Sequence, residues 1–136
     1  MYKNPNVFKF AAMFILVVFI MISTGCVDKN TKITLKGESI HWNGELNSSI
    51  TGQDESGMYT LFYKDEDWDD VQVYKININD GKVILEETGL TTRTIEIPIN
   101  RTKSSVTSNE PQTVNIIWSD SSGNEYEENI LLKPID

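Results

Sequence analysis

The sequence predicts an all-β domain: an immunoglobulin-like antiparallel β-sandwich of seven or eight strands, with a small β-barrel as the alternative closure. Three observations predict it. After Cys26 no segment sustains a helical period, whereas apolar residues recur at every second position. Turn-forming Gly, Asn and Asp separate these runs at spacings of roughly 8–12 residues. Seven or eight short runs with no helix to cover them argue for two packed antiparallel sheets. The paired cysteines of antibody domains are missing, so only the architecture is implied.

Each strand has its own signature. Ile33 and Leu35 open the first, and Gly37 is expected to end it. Trp42, Gly44, Leu46, Ser48 and Ile50 share one face of the second, with His41, Asn43, Glu45 and Asn47 on the other. Residues 52–57 read as a polar turn. Tyr59, Leu61 and Tyr63 then alternate with Met58, Thr60 and Phe62, so both faces carry apolar residues, which suits a central strand. Val71 and Val73 are out of phase with Tyr74, Ile76 and Ile78, and a one-residue slip of this kind suggests a β-bulge. Asp80-Gly81 is a hairpin turn into Val83 and Leu85, and Gly89 breaks the chain again. Ile95, Ile97 and Ile99 form the next inward row. Pro98 among them has no N–H to give a ladder and places that strand at an edge. Val114, Ile116 and Trp118 face inward next. The turn 120–124 leads to a last strand with Tyr126, Ile130 and Leu132 inward.

The chain opens differently. Lys3 and Lys9 precede an unbroken apolar run of 13 residues, Phe10 to Ile22, and no acid occurs before Asp28. This is the layout of a secretory signal. The run is shorter than the roughly 20 residues that span a bilayer as a helix, and its charge asymmetry directs the following chain outward. It ends in Ser23-Thr24-Gly25-Cys26. That ending resembles the lipobox of bacterial lipoproteins, with Gly25 and Cys26 at its most demanding positions and Ser23 where Leu is usual. The resemblance implies cleavage before Cys26 and lipid on its thiol. Cys26 is the single cysteine of the chain, so lipidation competes with no disulfide. The expected organisation is a signal at 1–25, a lipidated Cys and short polar linker at 26–32, and the β-domain at 33–136. The early Trp-x-Gly strand and late Ile-x-Trp hairpin are similar to small surface lipoproteins of unknown function.

Removal of residues 1–25 leaves 111 of the 136 residues, enough for one domain that folds without disulfides or metal. The signal carries two of the 12 basic residues and none of the 20 acidic ones, so the remainder has a formal charge of −10. Phosphate backbones repel such a domain, which argues against a nucleic-acid partner.

Few residues suggest chemistry. Asp65-Glu66-Asp67-Trp68-Asp69-Asp70 puts five carboxylates in six positions, and oxygens at 65, 67 and 69 have the spacing that starts a calcium loop. The loop pattern then fails, with Asp70 where a Gly is needed and Ile76 where a bidentate Glu belongs. The segment reads as a solvated turn. Trp68 within it is expected to fold back over a sheet edge, Trp42 and Trp118 to be core, and the lone His41 to sit on a polar surface. One His and no free Cys make no metal centre of the familiar N/S type. No nucleophile elbow, Gly-rich phosphate loop or other cofactor pattern is present. The stretch Asn100–Gln112, which includes Arg101 and Lys103, reads as a long loop. The function expected is therefore a lipid-anchored, extracytoplasmic, non-enzymatic binding module. It would sit in the cell membrane through Cys26 and meet a protein or envelope-polymer partner. A small envelope hydrolase and a weak calcium-binding surface protein are the alternatives.

Overall fold

The computed structural model describes residues 30–102 and 109–135. The signal at 1–25, Cys26 and residues 27–29 lie outside the described residues, as do residues 103–108 of the expected long loop.

Eight strands follow one another: β1 (Asn30–Glu38), β2 (Trp42–Thr51), β3 (Asp54–Tyr63), β4 (Val73–Ile78), β5 (Val83–Thr88), β6 (Thr94–Thr102), β7 (Gln112–Ser119) and β8 (Glu125–Pro134). A single 3-10 turn, Trp68–Asp70, interrupts them. All pairs are antiparallel, and the order β5-β4-β7-β8-β1-β2-β3-β6 forms one continuous sheet curled into a half-barrel. The all-β antiparallel expectation holds, with eight strands.

The sheet has two four-stranded arms. They meet where β1 and β8 pair through only Leu35↔Pro134 and Lys36↔Lys133. Curling closes the arms over one core. Ile33, Leu35, Trp42, Leu46, Tyr59 and Leu61 from one arm are buried in the same cluster as Ile76, Ile78, Val114, Ile116, Ile130 and Leu132 from the other. Polar and aromatic contacts also cross the gap. The Tyr59 hydroxyl donates to Gln112 Oε1 at 2.5 Å, and the Trp42 ring stands edge-on to Trp118 with centroids 5.7 Å apart.

The two-residue period read from β2, β3, β6 and β7 is the burial pattern observed. β3 is interior, between β2 and β6, and β6 with Pro98 is an edge strand. Asn79, Asp80 and Gly81 are all left-handed, which builds the β4–β5 hairpin. Trp42 and Trp118 are core residues at 0% and 3% exposure, and Trp68 packs half-buried against the core.

Five expectations need correction. β1 begins at Asn30, inside the stretch read as linker, because Thr31 and Lys32 continue the ladder to Ile50 and Ser49. Gly37 does not end β1. It lies where β8 crosses closest, and a Cβ there would collide with the Leu131 carbonyl oxygen. Residues 52–57 are not one turn: Gly52-Gln53 alone turns, and β3 starts at Asp54. Glu55 is buried, with its carboxylate accepting from Ser48 Oγ at 2.5 Å. The phase slip at Val71 and Val73 is no bulge, since β4 pairs without interruption from Val73 to Ile78. Val71 precedes the strand and is tucked inward by the 3-10 turn. Likewise β6 reaches Thr102 and β7 starts at Gln112, so the expected loop is shorter at both ends.

Candidate functional site

Antiparallel pairing sends the β1–β2, β3–β4 and β7–β8 connections to the same end of the half-barrel. β2 starts there with Trp42, β3 ends there with Tyr63, β7 ends there with Ser119 and β8 starts there with Glu125. A cleft of about 120 Å³ opens between these connections.

Its walls are aromatic. Tyr63 and Trp118 come from the core side, and Tyr126 lies over Trp118 in a stack with centroids 5.3 Å apart at 18°. His41 stacks on Tyr63 at 6.2 Å and 13° and meets the Trp118 ring edge-on at 5.6 Å. Trp42 backs this group, with its ring 4.9 Å from Tyr63. Stacked and edge-to-face arrangements are those that ring quadrupoles favour.

Its rim is acidic. Asp65, Asp67 and Asp70 arrive from the β3–β4 connection and Asp120 from the β7–β8 turn. The 3-10 turn at 68–70 aims Asp70 inward, and its Oδ1 accepts from the Ser121 backbone at 3.3 Å, tying the two connections together. The segment read as a solvated turn is thus one wall of a cleft. No Lys or Arg is among the residues that line it. The ion pairs of the described residues leave Asp67, Asp70 and Asp120 without a cation.

His41 is not the surface residue expected. Its backbone N–H donates to Glu128 Oε2 at 3.1 Å, and its ring Nδ1 bonds Glu128 Oε1. The other ring nitrogen, Nε2, faces Asp65 Oδ2 at 3.7 Å. Glu128 occupies the inward phase of β8 together with Tyr126, Ile130 and Leu132. Strand alternation therefore drives a carboxylate toward the interior, and His41 is the partner that satisfies it.

The electrostatics follow from this geometry. Burial by itself would raise the Glu128 carboxyl, but hydrogen bonds from Ser39 and His41 and the His41 charge outweigh it and hold the group below its ordinary value. The Asn124 side chain, helped by backbone donors and Tyr126, holds Asp120 low. Burial, then the charges of Asp67 and Asp65, push the Tyr63 hydroxyl up to about 12. The hydrogen bond to Asp120 raises Tyr126. The potential inside the cleft is negative.

A pH prediction arises here. A carboxyl held low in the folded state stabilises the fold above its unfolded value of about 4.3, and that contribution disappears as pH falls through the lower, folded value. Melting curves of the full chain below about pH 4.3 should show a falling midpoint. Glu128→Gln should flatten the fall and cost about 1 kcal/mol at neutral pH, the net worth of a hydrogen-bonded group of this kind. An identical acid slope in the variant would contradict the assignment.

The structure also limits the chemistry. Among the described residues no three His, Cys, Asp or Glu side chains gather as a metal ion requires, so the rim acids surround a space without converging on a point. No Ser or Thr hydroxyl lines the cleft. Ser39 hydrogen-bonds Glu128 rather than offering its oxygen to the His41 ring. The two carboxyls at the site whose values are displaced, Asp120 and Glu128, are both displaced downward, the wrong direction for a general acid. A second depression, on the outer face of β1–β3, is wider and open, and the Lys36–Glu45 ion pair at 3.2 Å spans part of it.

Sequence reasoning singled out the acidic segment 65–70, His41, Trp68 and Trp118 separately. It did not bring in Asp120, Tyr126 or Glu128, which lie 50 or more residues from the acidic segment and from His41 along the chain. The available signal was Glu128: an acid in the inward row of an apolar strand needs a partner, and His41 is the only histidine.

The fold and the cleft together define an all-β domain with an aromatic, acid-rimmed cleft at one end. Comparison with protein-family models, curated proteins and solved structures finds no match to the chain. Among the described residues no helix is long and apolar enough to cross a membrane.

Proposed function

We propose that the protein is a lipid-anchored extracytoplasmic binding module, held through Cys26 at the cell membrane, that takes its ligand in the end cleft. The cleft carries this reading: concave, walled by stacked rings and rimmed by carboxylates, it has the form of a ligand site. The signal-like N-terminus and the lipobox resemblance of Ser23-Thr24-Gly25-Cys26 support the anchor. β1 begins four residues after Cys26 and runs toward the cleft end. Its nine residues extend over about 30 Å at ~3.3 Å each, so the cleft opens at the end remote from the anchor and is accessible from outside. An immunoglobulin-like sandwich is a fitting description of the two four-stranded arms that share one core, although β1–β8 pairing joins them into one sheet.

The experiment has two parts. Cells fed labelled palmitate should label the wild-type protein and not Cys26→Ala; label persisting in the variant would remove the anchor. A photo-crosslinking residue placed at Tyr126, at the cleft mouth, should capture an envelope component on intact cells. The same residue at Ile84, on the outer edge strand β5, should not. Equal capture from both positions would contradict the assignment of the cleft.

A small hydrolase is the weaker reading. His41 does face an acid-rimmed cleft, but both its ring nitrogens are engaged by carboxylates and no hydroxyl is presented to it. A calcium protein is weaker still, because the acids do not converge.

A further inference from the structure

We infer that the cleft recognises an alkylammonium group, a small organic cation carried by a soluble amine or by a side chain, rather than a metal ion or a neutral ligand. The inference rests on the reading of the end cleft as a binding site and specifies what it binds.

Three features of the structure converge on this class. First, two layers of rings back the space: Tyr126 lies over buried Trp118 and His41 over buried Tyr63, so the outer layer, with Tyr126 39% exposed, is what a ligand meets. The face of Tyr126 turned away from Trp118 attracts a cation within about 6 Å. Aromatic walls alone would equally suit an uncharged apolar ligand, so a second feature is needed. It is the charge of the rim: Asp67, Asp70 and Asp120 face the cleft with no Lys or Arg among the lining residues, and His41 is already paired with Glu128 and Asp65. A neutral ligand would leave these carboxylates partly desolvated and uncompensated, whereas a cation is attracted by all of them. Third, the carboxylates are distributed. They come from two separate connections and do not gather as the ligands of a metal ion do. Calcium takes six to eight oxygens at close range. An alkylammonium group spreads its charge over its methyl or methylene surface and accepts a loose anionic rim with an aromatic wall.

The volume of about 120 Å³ fits a head group of this kind and excludes a folded segment. The position of the cleft also separates two sources of the cation. Because the cleft lies at the end of the domain remote from residue 30, headgroups of the anchoring membrane are out of reach, and the cation must come from solution or from a partner facing the domain.

Intrinsic tryptophan fluorescence and calorimetry of the full chain in detergent, at constant ionic strength, test this. The probes are choline chloride, the amide of Nα-acetyl-lysine, 3,3-dimethylbutan-1-ol as the uncharged counterpart of choline, and calcium chloride. Choline or the lysine amide should saturate, and the tighter of the two shows whether the natural source is a methylated small amine or a peptide side chain. The neutral alcohol should bind at least about tenfold more weakly. Asp67→Asn leaves the fold intact, since the Asp67 side chain makes no cap bond to the 3-10 turn. It should weaken binding, and Asp67→Asn with Asp70→Asn should do so further, by about fivefold or more. Tyr126→Leu should weaken it two- to fivefold, the usual worth of one partly exposed cation–ring contact. Equal binding of choline and the alcohol would overturn the inference, as would saturation by calcium alone. If neither amine binds while the Tyr126 crosslink still captures a partner, the ligand class is wrong and the binding module stands. If an amine binds but the crosslink captures nothing specific, the cation site stands and the module reading fails.

Discussion

Trp42→Ala is expected to lower the stability of the domain by about 3–5 kcal/mol, the range for truncating a large aromatic core residue. Trp42 is wholly buried and is the first residue of β2. Its ring contacts Tyr63 on the neighbouring strand and Trp118 on the opposite arm. It therefore holds the arms together beneath the cleft, and the cavity left by Ala could be filled only by bringing them closer. A domain of this size has a total stability of roughly 5–15 kcal/mol, and each kcal/mol displaces the midpoint by about 4–8 °C. The midpoint of a thermal melt followed by circular dichroism should fall by at least about 12 °C. Trp42→Phe should cost much less. It keeps most of the ring, and it deletes Nε1, the one buried side-chain polar atom without a hydrogen-bond partner among the described residues. Equal losses for Ala and Phe would mean that packing is not what Trp42 supplies.

Gly37→Ala is the second large effect, and it tests the curl of the sheet. The two arms are joined by only two backbone pairs between β1 and β8, adjacent to this glycine. A methyl at 37 would collide with the Leu131 carbonyl oxygen and lie 2.9 Å from Ile130 Cγ2. Backbone cannot swing aside as a flexible side chain does, so relief requires β8 to move away from β1. The expected loss is about 2–3 kcal/mol, the upper part of the range for overpacking. Hydrogen exchange should be accelerated chiefly at residues 34–36 and 131–135. A variant with wild-type melting and exchange would show that the close crossing of β8 is not required.

How much of this was legible depends on the distance over which each decision is made. Alternation in β2, β3, β6 and β7 records burial of one face, a local property, and the inward rows agree with the structure residue by residue. Pro98 signals an edge because its missing N–H is local too. Gly37 was ambiguous for a physical reason: glycine ends strands and also permits close approach, and only Leu131, 94 residues away, decides between the two. Glu55 looked like part of a polar turn because its partner Ser48 lies across a hairpin that the sequence does not display. Val71 and Val73 imitated a bulge because a 3-10 turn, rather than a strand, delivers Val71 inward.

The cleft divides in the same way. The acidic run 65–70 is conspicuous as a string, and taken alone it is a solvated turn. It becomes a wall only because β7 and β8 return Asp120, Tyr126 and Glu128 to the same end. His41 followed the outward phase of β2 and looked like a surface residue, but it precedes the strand, so the alternation of β2 does not govern its direction. Its orientation is set by Glu128, 87 residues away.

If the end cleft receives a cationic group, no other surface of the domain should respond to one. Backbone amide NMR spectra of the full chain, recorded while choline chloride is added against matched sodium chloride, test it most directly. Saturable shifts are expected only at residues around His41, Asp65–Val71, Trp118–Asp120 and Tyr126. Gly52, Gly81 and Gln112, at the opposite end, should stay in place. Shifts centred at the opposite end, or shifts everywhere that sodium chloride reproduces, would contradict it.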